Sequence, residues 1–214
     1  MVNYASPVIN GLQWHFQYSN GKEAEYEGTS STDRYMAIGA TYTKDRYFIA
    51  VAADRLNTKS ANFSSTNWKL DDAYKVLLGG HYKFERFTLY GTVQYLKNVA
   101  YIGGYSTKEF APVSAEQKQD MVNKGFESWA FSSGVNVPIW GGFAKASLGY
   151  ALGENQNMES HNKFTRINAG LGYQYPLSKR TSIYGIAGYF WQDADWQEKN
   201  IASREAIFGL MHRF

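Results

Sequence analysis

Over most of its 214 residues this chain alternates apolar and polar side chains with a period of two, and helical spacing is hard to find. Successive side chains on a strand point to opposite faces, so such a run reads as a strand lying between an apolar and a polar medium. The clearest run starts at Arg166. Ile167, Ala169, Leu171, Tyr173 and Tyr175 share one face, and Arg166, Asn168, Gly170, Gly172 and Gln174 share the other. Elsewhere Lys145, Ser147 and Gly149 alternate with Ala146, Leu148 and Tyr150. Lys75, Gly79, His81 and Lys83 alternate with Tyr74, Val76, Leu78 and Tyr82, and Gln13, His15 and Gln17 with Leu12, Trp14, Phe16 and Tyr18. The pattern is weaker in 46–55 and 181–191.

Eleven strands are expected, near 2–6, 12–19, 34–43, 47–55, 73–84, 87–96, 127–137, 143–152, 164–175, 181–191 and 205–214. Most have the roughly 9–11 residues with which a tilted strand crosses a bilayer. Short links (7–11, 44–46, 85–86, 138–142, 176–180) alternate with long polar ones (20–33, 56–72, 97–126, 153–163, 192–204). Short and long connections then lie at opposite ends of an antiparallel up-and-down sheet, as in outer-membrane barrels. No break in composition divides the chain, so residues 1–214 read as one all-β domain.

Alternation alone leaves open which face points inward. A soluble or secreted barrel binding an apolar ligand inside would alternate too. Three features favour lipid outside. Aromatics, 17% of the chain, gather at strand ends: Tyr42 with Tyr47, Tyr82 with Phe84 and Phe87, Tyr173 with Tyr175, and Trp14 with Tyr18. Amphipathic rings suit a membrane–water interface, although they are also good strand formers. The polar face is rich in Lys, Arg, Asn, Gln, Ser and Gly, as a water-filled lumen would be. The last strand keeps its alternation to the final residue, where soluble domains often fray.

Other classes are excluded or unsupported. No apolar run approaches the roughly 18 residues of a membrane helix. With no Cys, disulfide scaffolds, thiolate zinc sites and Cys nucleophiles are out. A net charge of +3 without a basic run gives no reason to expect nucleic acid. His15, His81, His161 and His212 lack metal-ligand spacing, so no metal or cofactor is expected. There is no Gly-x-Ser-x-Gly elbow, phosphate loop or dinucleotide fingerprint, which leaves an outer-membrane hydrolase as a minor alternative. No signal peptide is visible in the first residues.

Three stretches carry a resemblance. The ending Gly209-Leu210-Met211-His212-Arg213-Phe214 resembles the Gly-Leu-x-His-x-Phe-like close of Gram-negative general porins. Tyr175-Pro176-Leu177-Ser178-Lys179-Arg180-Thr181-Ser182-Ile183-Tyr184 resembles that family's turn before the penultimate strand. Val2-Asn3-Tyr4-Ala5-Ser6-Pro7, followed by Gly11-Leu12, resembles its Val-Arg-Tyr-Asp-Ser-Pro…Gly-Phe segment. The resemblance implies a water-filled outer-membrane channel for passive diffusion of small hydrophilic solutes, usually a homotrimer of sixteen-stranded barrels. It implies contact with outer-membrane lipid and lipopolysaccharide, and Phe214 as part of the signal read by the barrel-assembly machinery. On that alignment the chain matches the sixth to sixteenth strands and lacks the first five strands and the constriction loop. Asn3 and Ala5 stand where the family commonly has Arg and Asp.

An odd count argues the same way, because single-chain bacterial barrels have even numbers of strands. Eleven strands would close only through a parallel first–last pair. A truncated product, or ten strands with segment 2–6 lying on the rim, is the expectation. The expected lumen wall carries His15, Gln17, Lys75, His81, Lys83, Lys145, Arg166, Asn168, Gln174 and Arg213, with Asp54 and Glu205 as its acidic members. This excess of basic groups predicts a weak anion preference. Asp71-Asp72 reads as a solvated loop end, not a calcium site.

Overall fold

The structure, a computed structural model, describes residues 1–20, 34–57, 71–99, 125–156 and 160–213. Eleven strands follow one another: β1 (Val2–Ala5), β2 (Leu12–Ser19), β3 (Tyr35–Lys44), β4 (Tyr47–Leu56), β5 (Ala73–Lys83), β6 (Thr88–Val99), β7 (Phe126–Ile139), β8 (Gly142–Asn155), β9 (Lys163–Pro176), β10 (Thr181–Ala194) and β11 (Ile201–His212). They form one antiparallel sheet whose spatial order is the chain order, β1 to β11. Within segment 2–6, Val2–Ala5 is therefore a paired strand, in register with β2 from Val2↔Tyr18 to Ala5↔His15, and the described residues hold eleven strands rather than ten. Among the described residues β1 and β11 are the two ends of the sheet, so the parallel closing pair is not formed.

The tight turns follow from residues that accept left-handed backbone. Asn10-Gly11 (φ +50° and +84°) and Trp140-Gly141 (φ +53° and +74°) each place two consecutive residues there. That geometry matches the twist of the flanking strands in two-residue hairpins. Gly11 is doubly constrained, since a Cβ on it would lie 2.2 Å from the Thr43 carbonyl oxygen. The turn at 177–180 is held by Ser178, whose Oγ accepts from the amides of Arg180 (3.1 Å) and Thr181 (3.0 Å).

The strands outrun their expected ends on the long-connection side. β11 starts at Ile201, four residues before the alternation suggests, and pairs Ile201 with Gln192. β7, β8, β9 and β10 have 14 residues each. Ladder hydrogen bonds join backbone groups and do not depend on side-chain alternation, so the strands continue past the apolar band. On β6 the register slips between Leu96 and Val99, beside Asn98 at φ +54°. There the Asn98 side chain donates to the Asp72 carbonyl oxygen at 3.0 Å.

The two faces differ sharply in crowding. Most of the buried side chains (Ala73, Leu96, Phe126, Ser128, Ala151, Phe164, Arg166, Gln192, Ala194) share the polar face. The other face exposes Trp14, Phe16, Ile38, Val51, Val76, Leu78, Leu89, Trp129, Phe131, Leu148, Tyr150, Leu171, Ile183 and Leu210. Side chains crowd on the inside of a rolled sheet and splay on the outside, so the polar face is the inner one. A soluble barrel with an apolar interior requires the reverse. The exposed large apolar side chains run as a continuous band from β2 to β11, whereas soluble monomers rarely expose large contiguous apolar patches.

Candidate functional site

Cross-strand register orders the polar face into rungs. Eleven of the twelve expected wall residues fall on it: His15 and Gln17 on β2, Asp54 on β4, Lys75, His81 and Lys83 on β5, Lys145 on β8, Arg166, Asn168 and Gln174 on β9, and Glu205 on β11; Arg213 follows the end of β11. They are spread along the wall and form no single cluster. Asp54 stands directly opposite Lys75. Lys145 Nζ donates to Gln174 Oε1 at 3.2 Å, and Gln174 Nε2 donates to Ser182 Oγ at 3.0 Å. His15 Nε2 lies 3.4 Å from Thr41 Oγ1. Gln17 reaches the Met1 sulfur, and Glu205 lies across Gly188, where a Cβ would come within 3.0 Å of its Oε1. The Arg213 amide donates to the Arg180 carbonyl oxygen at 2.9 Å. Phe214, the expected assembly signal, lies outside the described residues.

Arg166 is the most enclosed of these. It is 4% exposed, donates from Nε (3.1 Å) and Nη2 (2.6 Å) to Gln192 Oε1, and lies 5.1 Å over the Phe190 ring. Two charge-assisted hydrogen bonds to one oxygen fix the orientation of the guanidinium. A cavity of about 560 Å³ opens beside it, with Asn168, Ser203 and Glu205 on its rim.

Three features of this face are absent from the alternation-based list. Gln192, Ser128, Asn155 and Ser182 are buried polar residues on the inner face. Phe126, Phe164 and Trp196 form an aromatic triangle at the long-connection end, with centroids 5.7, 6.0 and 6.2 Å apart. Phe48, His81 and Tyr90 form a second ring group nearer the short turns. Parity carries the missing signal: Phe164 shares its face with Arg166, and Tyr90 shares its face with Thr92.

The apolar face has two aromatic rims. At the short-turn end Tyr42 meets Tyr47 (5.9 Å), Phe84 meets Tyr82 (4.6 Å) and Phe87 (4.4 Å), and Trp140 meets Tyr173 (6.5 Å). At the other end Tyr95 packs on Trp129 (4.9 Å). Charges appear at that rim. Arg55 pairs with Asp72 over the Tyr74 ring, Arg204 lies over Tyr189, and Glu127 accepts from Tyr95 and Gln156. Asp72 is thus an ion-pair partner at the rim. Tyr74 and Tyr82 lie eight residues apart on β5, about 27 Å along the strand. At a tilt near 40° that is about 20 Å of height, close to the roughly 25 Å apolar band of outer-membrane barrels. Among the described residues no group of three metal-ligating side chains converges.

The family described as Gram-negative porin matches residues 1–195. An outer membrane porin protein of Bordetella pertussis is 25% identical over 238 residues, spanning 100% of this chain and 57% of the relative. Outer membrane porin protein 32 of Delftia acidovorans is 23% identical over 185 residues, 86% of this chain and 44% of the relative. The chain therefore spans about half the length of these relatives. Among solved structures, an anion-selective porin from Comamonas acidovorans overlays at a TM-score of 0.60 with 17% identity, over 98% of this chain and 57% of that one. The outer membrane channel DcaP of Acinetobacter baumannii overlays at 0.66 with 13% identity, over 98% and 61%. These structural likenesses concern the fold.

Proposed function

Since the chain belongs to the Gram-negative porin family, we propose that it forms the wall of a water-filled outer-membrane channel through which small hydrophilic solutes and ions diffuse passively. The carrying observation is the division of the sheet: one face gathers the polar and charged side chains and the buried residues, and the other is an aromatic-rimmed apolar band. The twelve wall residues named above line the pore. The whole chain, 1–214, acts as one barrel domain facing outer-membrane lipid and lipopolysaccharide. The barrel-assembly machinery inserts it through the terminal Phe214, and the working form is a homotrimer. It is a channel and not an enzyme.

A narrow aqueous passage between low-dielectric walls focuses the field of its lining charges. Five lasting cations (Lys75, Lys83, Lys145, Arg166, Arg213) face two carboxylates (Asp54, Glu205) on this wall, and Lys75 stands against Asp54. The remaining excess favours anions weakly, in line with the selectivity named for the Comamonas porin.

The test is conductance in planar bilayers, followed by the reversal potential in a potassium chloride gradient. Discrete conductance steps with a reversal potential displaced toward chloride are expected. The double variant Lys83→Gln, Lys145→Gln should lower the anion-to-cation permeability ratio by roughly twofold. Clear cation selectivity of the unaltered chain would overturn the charge account, and an absence of steps would overturn the channel.

A further inference from the structure

On the apolar face, large and small side chains are not evenly mixed. On β10 Gly185 and Ala187 follow one another there, and Ala187 stands opposite Ala206 of β11. Leu171 and Tyr173 rise beside them on β9. On the other side Phe208 leans over Gly185, where a Cβ would lie 3.0 Å from its ring. Between these walls runs a groove of about 550 Å³. Leu171 is 65% and Phe208 84% exposed, so the groove opens outward, to whatever surrounds the barrel.

The same strands end in the most basic of the described short turns. Lys179 and Arg180 lie between β9 and β10, and Arg213 is tied to Arg180 by the backbone bond given above. All three are exposed, and among the described residues no carboxylate pairs with any of them. The other charged turns are offset: Asp45 stands between Lys44 and Arg46, and Glu85 precedes Arg86. Like charges on facing strands repel, so this cluster is relieved by an anion from outside the chain. Arg180 lies five residues before Gly185, about 16 Å along the strand. At a tilt near 40° that is about 13 Å of height, within the roughly 15 Å that one leaflet contributes to the hydrocarbon core.

We propose that groove and turn together form a site for an anionic phospholipid of the leaflet at the short-turn end. Its phosphate sits on Lys179 and Arg180, in the field of Arg213, and one acyl chain lies along Gly185 and Ala187. A zwitterionic lipid would fill the groove and leave the excess charge in place. Lipopolysaccharide carries phosphate too, but it belongs to the leaflet beside the long connections. A second copy inserted in the same direction brings its own short turns to this height, and none of the described ones has net negative charge. The proposal rests on the porin reading for the membrane and for the end at which the short turns lie.

The test uses the full chain refolded in dodecyl maltoside micelles and titrated with dioleoylphosphatidylglycerol or dioleoylphosphatidylcholine, bound lipid being counted by native mass spectrometry. Phosphatidylglycerol should bind about tenfold more tightly. The double variant Lys179→Gln, Arg180→Gln should lose about that factor for phosphatidylglycerol and stay within about twofold for phosphatidylcholine. Lys44→Gln with Arg46→Gln, which removes the same charge from another turn, should change either lipid by less than about twofold. Ala187→Phe fills the groove and should weaken both lipids about threefold. Strand circular dichroism checks that each variant is folded. Equal affinity for the two lipids, or equal losses in the two double variants, overturns the site. Displacement of phosphatidylglycerol by inorganic phosphate at matched ionic strength would make it a free-anion site and overturn the lipid assignment. Bilayer conductance is read separately: conductance with unselective lipid binding sinks only the lipid site, and selective binding without conductance sinks only the channel.

Discussion

Gly80 and Gly91 face each other on the apolar side of β5 and β6, yet their surroundings differ. A Cβ on Gly80 would lie 2.3 Å from the Phe48 carbonyl oxygen, whereas on Gly91 the nearest atom is 3.9 Å away. Backbone cannot step aside as a side chain can. Gly80→Ala should therefore cost about 1–3 kcal/mol, and Gly91→Ala should be neutral or mildly stabilising, as read from urea unfolding in lipid vesicles. A second contrast separates neighbours in sequence. Val93 lies on the apolar face opposite Leu78, and Gln94 lies on the polar face opposite Leu77. Val93→Arg buries a charge in the lipid band and should cost about 2–4 kcal/mol. Gln94→Arg keeps its charge in water and should cost less than about 1 kcal/mol in the same assay. Equal losses would mean that the two faces do not meet different media.

At the level of elements, the hairpin turns depend on their left-handed residues. Gly141, at φ +74°, closes the turn between β7 and β8. Gly141→Val places a β-branched residue there and should cost about 1–3 kcal/mol in the same unfolding assay. No loss would show that another turn type serves as well. The strands were legible because one residue per face alternates wherever an apolar and a polar face lie on opposite sides, as from Arg166 to Gln174. That signal stops at the edge of the band. Residues 192–194 and 201–204 pair as strand although Gln192 and Asp193 break the pattern. The inner aromatic groups were hidden for a related reason. Rings at strand ends read as interface residues, and only parity with a polar neighbour separates Phe126 and Phe164, which point inward, from Trp129 and Tyr150, which do not.

For the whole molecule, the features that decide the reading are the direction in which the sheet rolls and the order of its strands. Alternation is the same whether the apolar face is inside or outside, so direction had to come from crowding: Arg166 and Gln192 are enclosed, while Leu171 is 65% exposed. The candidate wall was readable as a face but not as a set of contacts. The Lys145–Gln174 bond and the Asp54–Lys75 pair depend on register, which fixes who stands opposite whom. The chain's lack of Cys allows the division of media to be tested without background. Single cysteines placed along β9 in lipid vesicles can be exposed to a charged, membrane-impermeant thiol reagent, which reacts with thiolate in water. Asn168→Cys and Gly170→Cys should react, and Ile167→Cys, Ala169→Cys and Leu171→Cys should stay protected. Uniform reaction, or protection of the first pair and labelling of the other three, would contradict a wall with water inside and lipid outside.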